Sequence, residues 1–263
     1  PFLDAQNGVQ VTRNGLGAAL PACTRLDGAA DFAHTGFTRT TLPDHAGTDW
    51  ERNILWIKEG PILILDLLIA RQDAAYGFRL RWRTLGEAEC SPGCLMTSQA
   101  KDGKEHERRM NLSWNNGTTV SLAQADERYS NRWRNYSHAE PVVNVLTLDR
   151  SCELRKGEDV VLASLITTGG HEQTRACELT ELPGNRFGIQ VDAPAIAGLA
   201  VEPFASADLN VSGHAFILTA DELSVLSPTS VRVGDIVVLE GQVNALRLNG
   251  AEGKLDLDCS QAI

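Results

Sequence analysis

Residues 53–70 constrain the fold of this chain more than any other stretch. Ile54-Leu55-Trp56-Ile57-Lys58 is an apolar run of strand length, Glu59-Gly60 is suited to a tight turn, and Ile62-Leu63-Ile64-Leu65-Asp66-Leu67-Leu68-Ile69 returns as a second run. Two such runs joined by a short Gly-containing turn predict a β-hairpin. The second run is apolar at almost every position, so both of its faces need cover, which places it in the middle of a sandwich. It carries Asp66 and is strand-sized, and no apolar run in the sequence approaches the ~20 residues of a membrane-spanning helix.

Nowhere are apolar residues sustained at helical spacing over three turns. Short apolar or alternating runs recur instead, punctuated by Gly, Pro, Asn and Asp. In residues 76–85, Phe78, Leu80 and Trp82 share one face of a strand, and Arg79, Arg81 and Arg83 share the other. Further strands are predicted at 110–114, 118–123, 142–148, 160–167, 186–191, 207–211, 215–218, 223–226, 236–240, 243–248 and 254–257. Many short strands without interleaved helices predict an all-β protein, a large antiparallel β-sandwich (a supersandwich) with little helix. Residues 1–263 read as a single sandwich domain, with a weak internal boundary near Gly169-Gly170 where a polar stretch follows a strand.

The 24 Lys and Arg are outnumbered by 34 Asp and Glu, for a net charge of -10. That balance excludes general nucleic-acid binding and disfavours long-range attraction to a polyanion, leaving room for a local basic face. The chain starts at Pro1 without the basic and apolar regions of a signal peptide and reads as processed or trimmed. Six cysteines are present, at 23, 90, 94, 152, 177 and 259. In Cys90-Ser-Pro-Gly-Cys94 the tight Pro-Gly turn predicts a disulfide, in keeping with a secreted, extracellular or periplasmic protein. Free thiols are the alternative; a zinc knuckle lacks a second pair of ligands. Cys23–Cys259 and Cys152–Cys177 are companion pairings that the sequence allows.

Asp49-Trp50-Glu51-Arg52-Asn53-Ile54-Leu55-Trp56-Ile57-Lys58, the apolar strand through Leu65-Asp66, Tyr76, and Leu80-Arg81-Trp82-Arg83-Thr84-Leu85-Gly86 follow one another in an order that resembles the C-terminal β-sandwich of heparinase II/III-like polysaccharide lyases. The specific match covers roughly forty residues, and a shared fold does not by itself establish activity. The resemblance implies the sandwich fold. In such lyases it also implies a partner helical toroid and β-elimination on uronic-acid polysaccharides, with a base and Tyr at the sugar and Asn, His or Arg at its carboxylate. No toroid pattern occurs in this sequence. Trp50, Arg52 and Asp66 lie in the matching stretch and read as an Arg–Asp pair beside an indole that organises the fold.

Several groups are candidate sites. His34, His45, Asp44 and Asp49 fall in a polar stretch before the hairpin; the resemblance implies that some relatives hold a structural zinc through His and Asp, so a structural zinc or calcium at His34, His45 and Asp49 is one expectation and a solvated loop with no cofactor the other. Arg79, Arg81 and Arg83 suit bidentate contact with carboxylates or sulfates, or with acidic residues on adjacent strands. Arg128-Tyr129-Ser130-Asn131-Arg132-Trp133-Arg134-Asn135-Tyr136 gathers three arginines and three aromatics. Arg128, Tyr129, Arg132, Trp133, Arg134 and Tyr136 suit an anionic polysaccharide or another protein chain of an extracellular assembly. His138 could join Tyr129 or Tyr136 in a lyase, though nothing in the spacing requires it. Asn111, Asn116, Asn135 and Asn210 head N-x-Ser/Thr glycosylation patterns. Nucleotide loops and the Gly-x-Ser-x-Gly elbow are absent. The expected function is therefore a structural, interaction or carbohydrate-binding module without a complete active site, or alternatively the sandwich portion of a lyase.

Overall fold

A computed structural model describes residues 7–18, 24–99, 108–126, 142–170, 178–190, 193–250 and 253–258. Among them there is no helix, and the strands form four antiparallel sheets. Sheet A has five strands in the order Thr119–Asp126, Val142–Leu154, Ala74–Thr84, Gly8–Arg13 and Leu16–Gly17. Sheet B has eight: Arg25–Asp31, Thr35–His45, Thr48–Ile57, Ile62–Ala70, Asp159–Gly170, Arg108–Trp114, Cys94–Gln99 and Glu87–Ser91. Sheet C has seven: Glu178–Leu182, Arg186–Gln190, Pro194–Leu199, Ala215–Leu218, Glu222–Leu226, Ala245–Asn249 and Lys254–Asp258. Sheet D has four: Phe204–Ser206, Leu209–Ser212, Ser230–Val233 and Ile236–Glu240.

Three apolar cores join these sheets into successive layers. Val9, Phe78, Leu80 and Leu146 of sheet A meet Ile64, Leu68, Leu112 and Leu162 of sheet B. On the other side of sheet B, Leu55, Leu63, Leu65 and Val161 meet Phe187, Ala197 and Ile217 of sheet C. Phe216, Val225 and Leu246 of sheet C then meet Phe204, Val211 and Val231 of sheet D. Sheet B is thus buried on both faces. That is why Ile62–Ala70 has no polar alternation: its odd residues feed one core and its even residues the other. Sheets A and B draw on residues 8–170, and sheets C and D on residues 178–258, so sheet membership changes just after Gly169-Gly170.

The hairpin is present, with corrections at its ends. Its first strand begins at Thr48, well before Ile54, and its turn spans four residues: Ile57 accepts from Gly60 N at 2.9 Å and donates to the Pro61 carbonyl at 3.0 Å, with Glu59 at φ 61°. The larger correction concerns the segment expected to be a polar loop carrying His34 and His45. It is an eleven-residue strand, Thr35–His45, paired along its length with Thr48–Ile57. Its threonines and Arg39 obscured the apolar alternation, yet β-branched threonine suits a half-buried pleated surface as well as valine does.

Candidate functional site

The Arg52–Asp66 pair stands at the centre of the first hairpin. The two residues face each other across adjacent strands. Arg52 Nε donates to Asp66 Oδ1 at 2.7 Å and Nη2 to Oδ2 at 2.9 Å, while Trp50 Nε1 donates to Oδ1 at 2.7 Å. The guanidinium lies 5.3 Å from the Trp50 ring and 5.9 Å from the Trp82 ring. Burial works against the Arg52 charge, but the Asp66 carboxylate more than offsets it and holds the guanidinium above its ordinary pKa. Both carboxylate oxygens are engaged and Asp66 is fully buried, so this group organises the fold, as the sequence suggested.

On sheet A, Arg79, Arg81 and Arg83 project away from the core, opposite to Phe78, Leu80 and Trp82. Arg79 makes a bidentate pair with Asp149 on the adjacent strand, at 2.7 and 3.1 Å. Across the neighbouring strands Arg79 stands opposite Gln10 and Asp149, Arg81 opposite Gly8 and Thr147, and Arg83 opposite Val145. Residues 127–141 connect Thr119–Asp126 to Val142–Leu154, leaving sheet A at the end where Arg83 lies opposite Val145. The Arg128–Tyr136 group, including Asn135, falls outside the described residues.

A cleft of about 500 Å³ opens between sheets B and C. Its floor is Arg39, Glu51 and His214; Leu67, Ile69, Leu199 and Val201 are apolar walls, and Asp159, Asn185 and Glu202 line it as well. Arg39 grips Glu51 at 2.9 and 3.1 Å. His214 Nε2 lies 2.8 Å from Asn53 Oδ1 and 3.5 Å from Glu51 Oε2. Burial, aided by the nearby Arg39 charge, lowers the His214 pKa to about 4. The imidazole is therefore neutral near pH 7 and a weak base, suited to tying two sheets together rather than to moving a proton. A second buried polar tie joins the same sheets. Thr35 Oγ1 lies 2.7 Å from Ser224 Oγ and donates to Glu222 Oε1 at 3.1 Å, and Glu222 Oε2 accepts from Arg247 Nε at 2.8 Å. Sequence reasoning missed both groups. Their partners lie 161 to 189 residues apart, and a lone His214 between Gly213 and Ala215 carries no local signal.

The metal expectation is not supported by the geometry. His34 is exposed in the turn before Thr35–His45 and His45 is buried at the strand's far end, roughly 30 Å away at the rise of an extended strand. Asp49 accepts instead from Arg71 Nε at 2.8 Å and from the Asp44 amide at 3.0 Å. Among the described residues no cluster of three His, Cys, Asp or Glu side chains could hold a metal ion.

The Cys90–Cys94 disulfide is corrected as well. Both are free thiols. The predicted Pro-Gly turn forms, but its register sets Cys90 opposite Leu95 and Cys94 opposite Ser91. Side chains alternate along a strand, so the two sulfurs point to opposite faces of the hairpin. Cys152 is free too, and Cys23, Cys177 and Cys259 lie outside the described residues. Of the glycosylation patterns, Asn116 and Asn210 are exposed, whereas Asn111 is half-buried in a strand with neighbours on both sides.

The sandwich fold is similar to part of solved lyase structures. The chain is similar to the heparan sulfate lyase HepC from Pedobacter heparinus, with a TM-score of 0.50 and 13% identity over 69% of this chain and 28% of that one. A mutant of the same enzyme gives 0.52 and 12% over 72% and 29%. A heparinase III structure is covered similarly, 80% of this chain and 29% of that one, at 11% identity and a TM-score of 0.49. The two HepC comparisons show a shared heparinase-type β-sandwich fold. The chain spans less than a third of the length of each of these structures. No family model matches the sequence, and no curated protein matches it. No helix among the described residues is long and apolar enough to cross a membrane.

Proposed function

We propose that this chain is a secreted, extracellular or periplasmic β-sandwich module that holds an acidic polysaccharide or a partner protein chain, without a complete active site of its own. The observation that carries this reading is the row of Arg79, Arg81 and Arg83 on the outer side of sheet A, next to the end from which residues 127–141 depart. In an acidic protein, three arginines along one strand concentrate positive charge, of which Asp149 offsets a part at Arg79, and that local field attracts carboxylates or sulfates. Arg132, Trp133 and Arg134, which lie outside the described residues, are proposed on their sequence alone as further glycan contacts, the guanidinium groups for anionic groups and the indole for a sugar ring. The fold likeness to a heparan sulfate lyase supports the choice of an acidic glycan as the ligand.

The test is calorimetric titration of the chain with heparan sulfate and hyaluronan oligosaccharides at low and physiological salt. Binding that weakens with salt and is lost in the Arg79→Ala/Arg81→Ala/Arg83→Ala variant is expected. Undiminished binding in that variant overturns the assignment to this face. Loss of an oligomer in the Trp133→Ala variant, with glycan binding intact, assigns residues 128–136 to a protein interface.

A second reading is favoured by the likeness to HepC: the sandwich portion of a lyase that cleaves uronic-acid polysaccharides by β-elimination together with a helical domain. Release of unsaturated uronates, followed by their ultraviolet absorbance, decides for it. The single tyrosine among the described residues does not supply the chemistry, since Tyr76 is buried and its hydroxyl lies 2.9 Å from the Gly47 carbonyl.

A further inference from the structure

Sheet A does not cover all of sheet B. Of the three strands Arg25–Asp31, Thr35–His45 and Thr48–Ile57, only Trp50 and Ile54 join the core beneath sheet A. Among the described residues no further side chain of these strands packs into that core, and Trp56 stands on the same side with 43% of its surface exposed. It is the only aromatic among the exposed large apolar side chains of the described residues.

The register explains why the indole is uncovered. Asp31, Gly36 and Trp56 face one another in a single row across three strands, and Ala29, Thr38 and Ile54 form the next row. Gly36 in the middle has no side chain. A Cβ built there would come 3.8 Å from the edge of the Trp56 ring and 3.9 Å from Asp31 Oδ1. The ring edge and the carboxylate therefore border one gap. The surrounding groove of about 670 Å³ is lined by Ala29, Asp31, Gly36, Thr38, Ile54 and Trp56 among others. Lys58 Nζ pairs with Asp31 Oδ1 at 2.6 Å and also donates to the Phe32 carbonyl, which fixes one carboxylate oxygen, while the Asp31 side chain remains 84% exposed.

A ligand for this place needs an apolar face to lie on the indole and a hydroxylated edge for the carboxylate and Thr38. A pyranose ring has both, since its axial C–H groups form a flat apolar patch ringed by hydroxyls. The charge at the gap selects further. The Lys58 ammonium is already matched by Asp31, so the gap offers no unmatched positive charge to a uronate or sulfate, while the exposed carboxylate still accepts hydrogen bonds from vicinal hydroxyls. We propose that the Asp31–Gly36–Trp56 groove binds a pyranose ring of an uncharged glycan. This site is separate from the arginine row of sheet A and takes a ligand of different charge, so the two readings fail independently.

The experiment titrates the chain with cellohexaose, laminarihexaose and maltohexaose, and with a hyaluronan hexasaccharide, following tryptophan fluorescence and heat. Saturable binding of at least one uncharged hexasaccharide is expected. Trp56→Ala should weaken it by about tenfold. Gly36→Val should abolish it by filling the gap; its Cβ sits at ordinary contact distance, 3.7–3.9 Å, from its neighbours, and circular dichroism of the variant checks that the fold is retained. The triple arginine variant should bind the uncharged sugar as the parent does. Failure of all three uncharged sugars to bind, unchanged binding in both groove variants, or Trp56-dependent binding of hyaluronan alone overturns the proposal. Self-association that Trp56→Ala abolishes also overturns it, in favour of a protein interface.

Discussion

His214 and Asn53 are 161 residues apart in sequence, yet Nε2 of the first lies 2.8 Å from Oδ1 of the second, across the interface between sheets B and C. Glu51 and Arg39 complete the group from sheet B.

That contact predicts a pH dependence of stability. Burial, then the Arg39 charge, brings the His214 pKa from 6.5 down to about 4. The unfolded chain therefore binds a proton here that the folded chain refuses. The stabilisation is complete above about pH 6.5 and is lost as pH falls through about 4, amounting to about 3 kcal/mol over that window. Burial also lowers the His45 pKa, which acts in the same direction. In urea unfolding between pH 7 and pH 4, His214→Gln should be less stable than the parent at pH 7 and should show a shallower loss towards pH 4. Equal slopes would remove His214 from this role.

Asp66→Asn tests the Arg52 pair. The amide keeps an oxygen for Trp50 Nε1, which now lies 2.7 Å from Asp66 Oδ1, but leaves the Arg52 guanidinium between two indole rings without its counter-charge. Breaking a buried pair from one side costs about 3 kcal/mol. Guanidinium chloride unfolding should register that loss, and a loss below about 1 kcal/mol would show that water replaces the carboxylate.

What the sequence revealed and what it hid follow from interaction range. Ile62–Ala70 could be placed because an unbroken apolar run has to be buried on both faces, and Phe78, Leu80 and Trp82 were read correctly because alternation is a local signal. The strands Arg25–Asp31 and Thr35–His45 were hidden, because Gly, Ala and Thr fill positions where bulk would have betrayed a face. Arg52–Asp66 was legible because a short hairpin fixes its register. The Glu51–His214 and Thr35–Glu222 contacts were not, because they depend on how sheet C lies on sheet B. The exposure of Trp56 depends on where sheet A ends, which no residue near Trp56 encodes. The pairing expected of Cys90 and Cys94 failed at the level of register: a turn brings two strands together but also decides which faces their side chains share.

The cysteine finding predicts a chemical outcome. Cys90 is exposed, with its thiol pKa raised by burial of the sulfur and then by Cys94, and Cys94 is half-buried. Both should react with iodoacetamide in denaturant without prior reduction, each adding one alkyl group by mass spectrometry. A Cys90–Cys94 linked peptide from unreduced protein would show that the hairpin has shifted register by one residue.

Whether sheets A–B and sheets C–D act as one unit can be read from the placement of tryptophan. The four tryptophans among the described residues, Trp50, Trp56, Trp82 and Trp114, all lie in sheets A and B, and no tryptophan follows position 133, so fluorescence reports no residue of sheets C and D, whereas far-ultraviolet circular dichroism reports all four sheets. The sheet B–C interface is an apolar core with two buried polar ties, and breaking either tie from one side leaves a buried charge or polar group without its partner. We propose that this interface makes the chain unfold as a single cooperative sandwich. The two probes should then give coincident urea transitions. Glu222→Gln, which leaves Arg247 Nε without its carboxylate at 2.8 Å, should lower both midpoints together. If the fluorescence midpoint stays fixed while the dichroism transition splits, sheets C and D unfold separately, and the change of sheet membership after Gly169-Gly170 divides two domains.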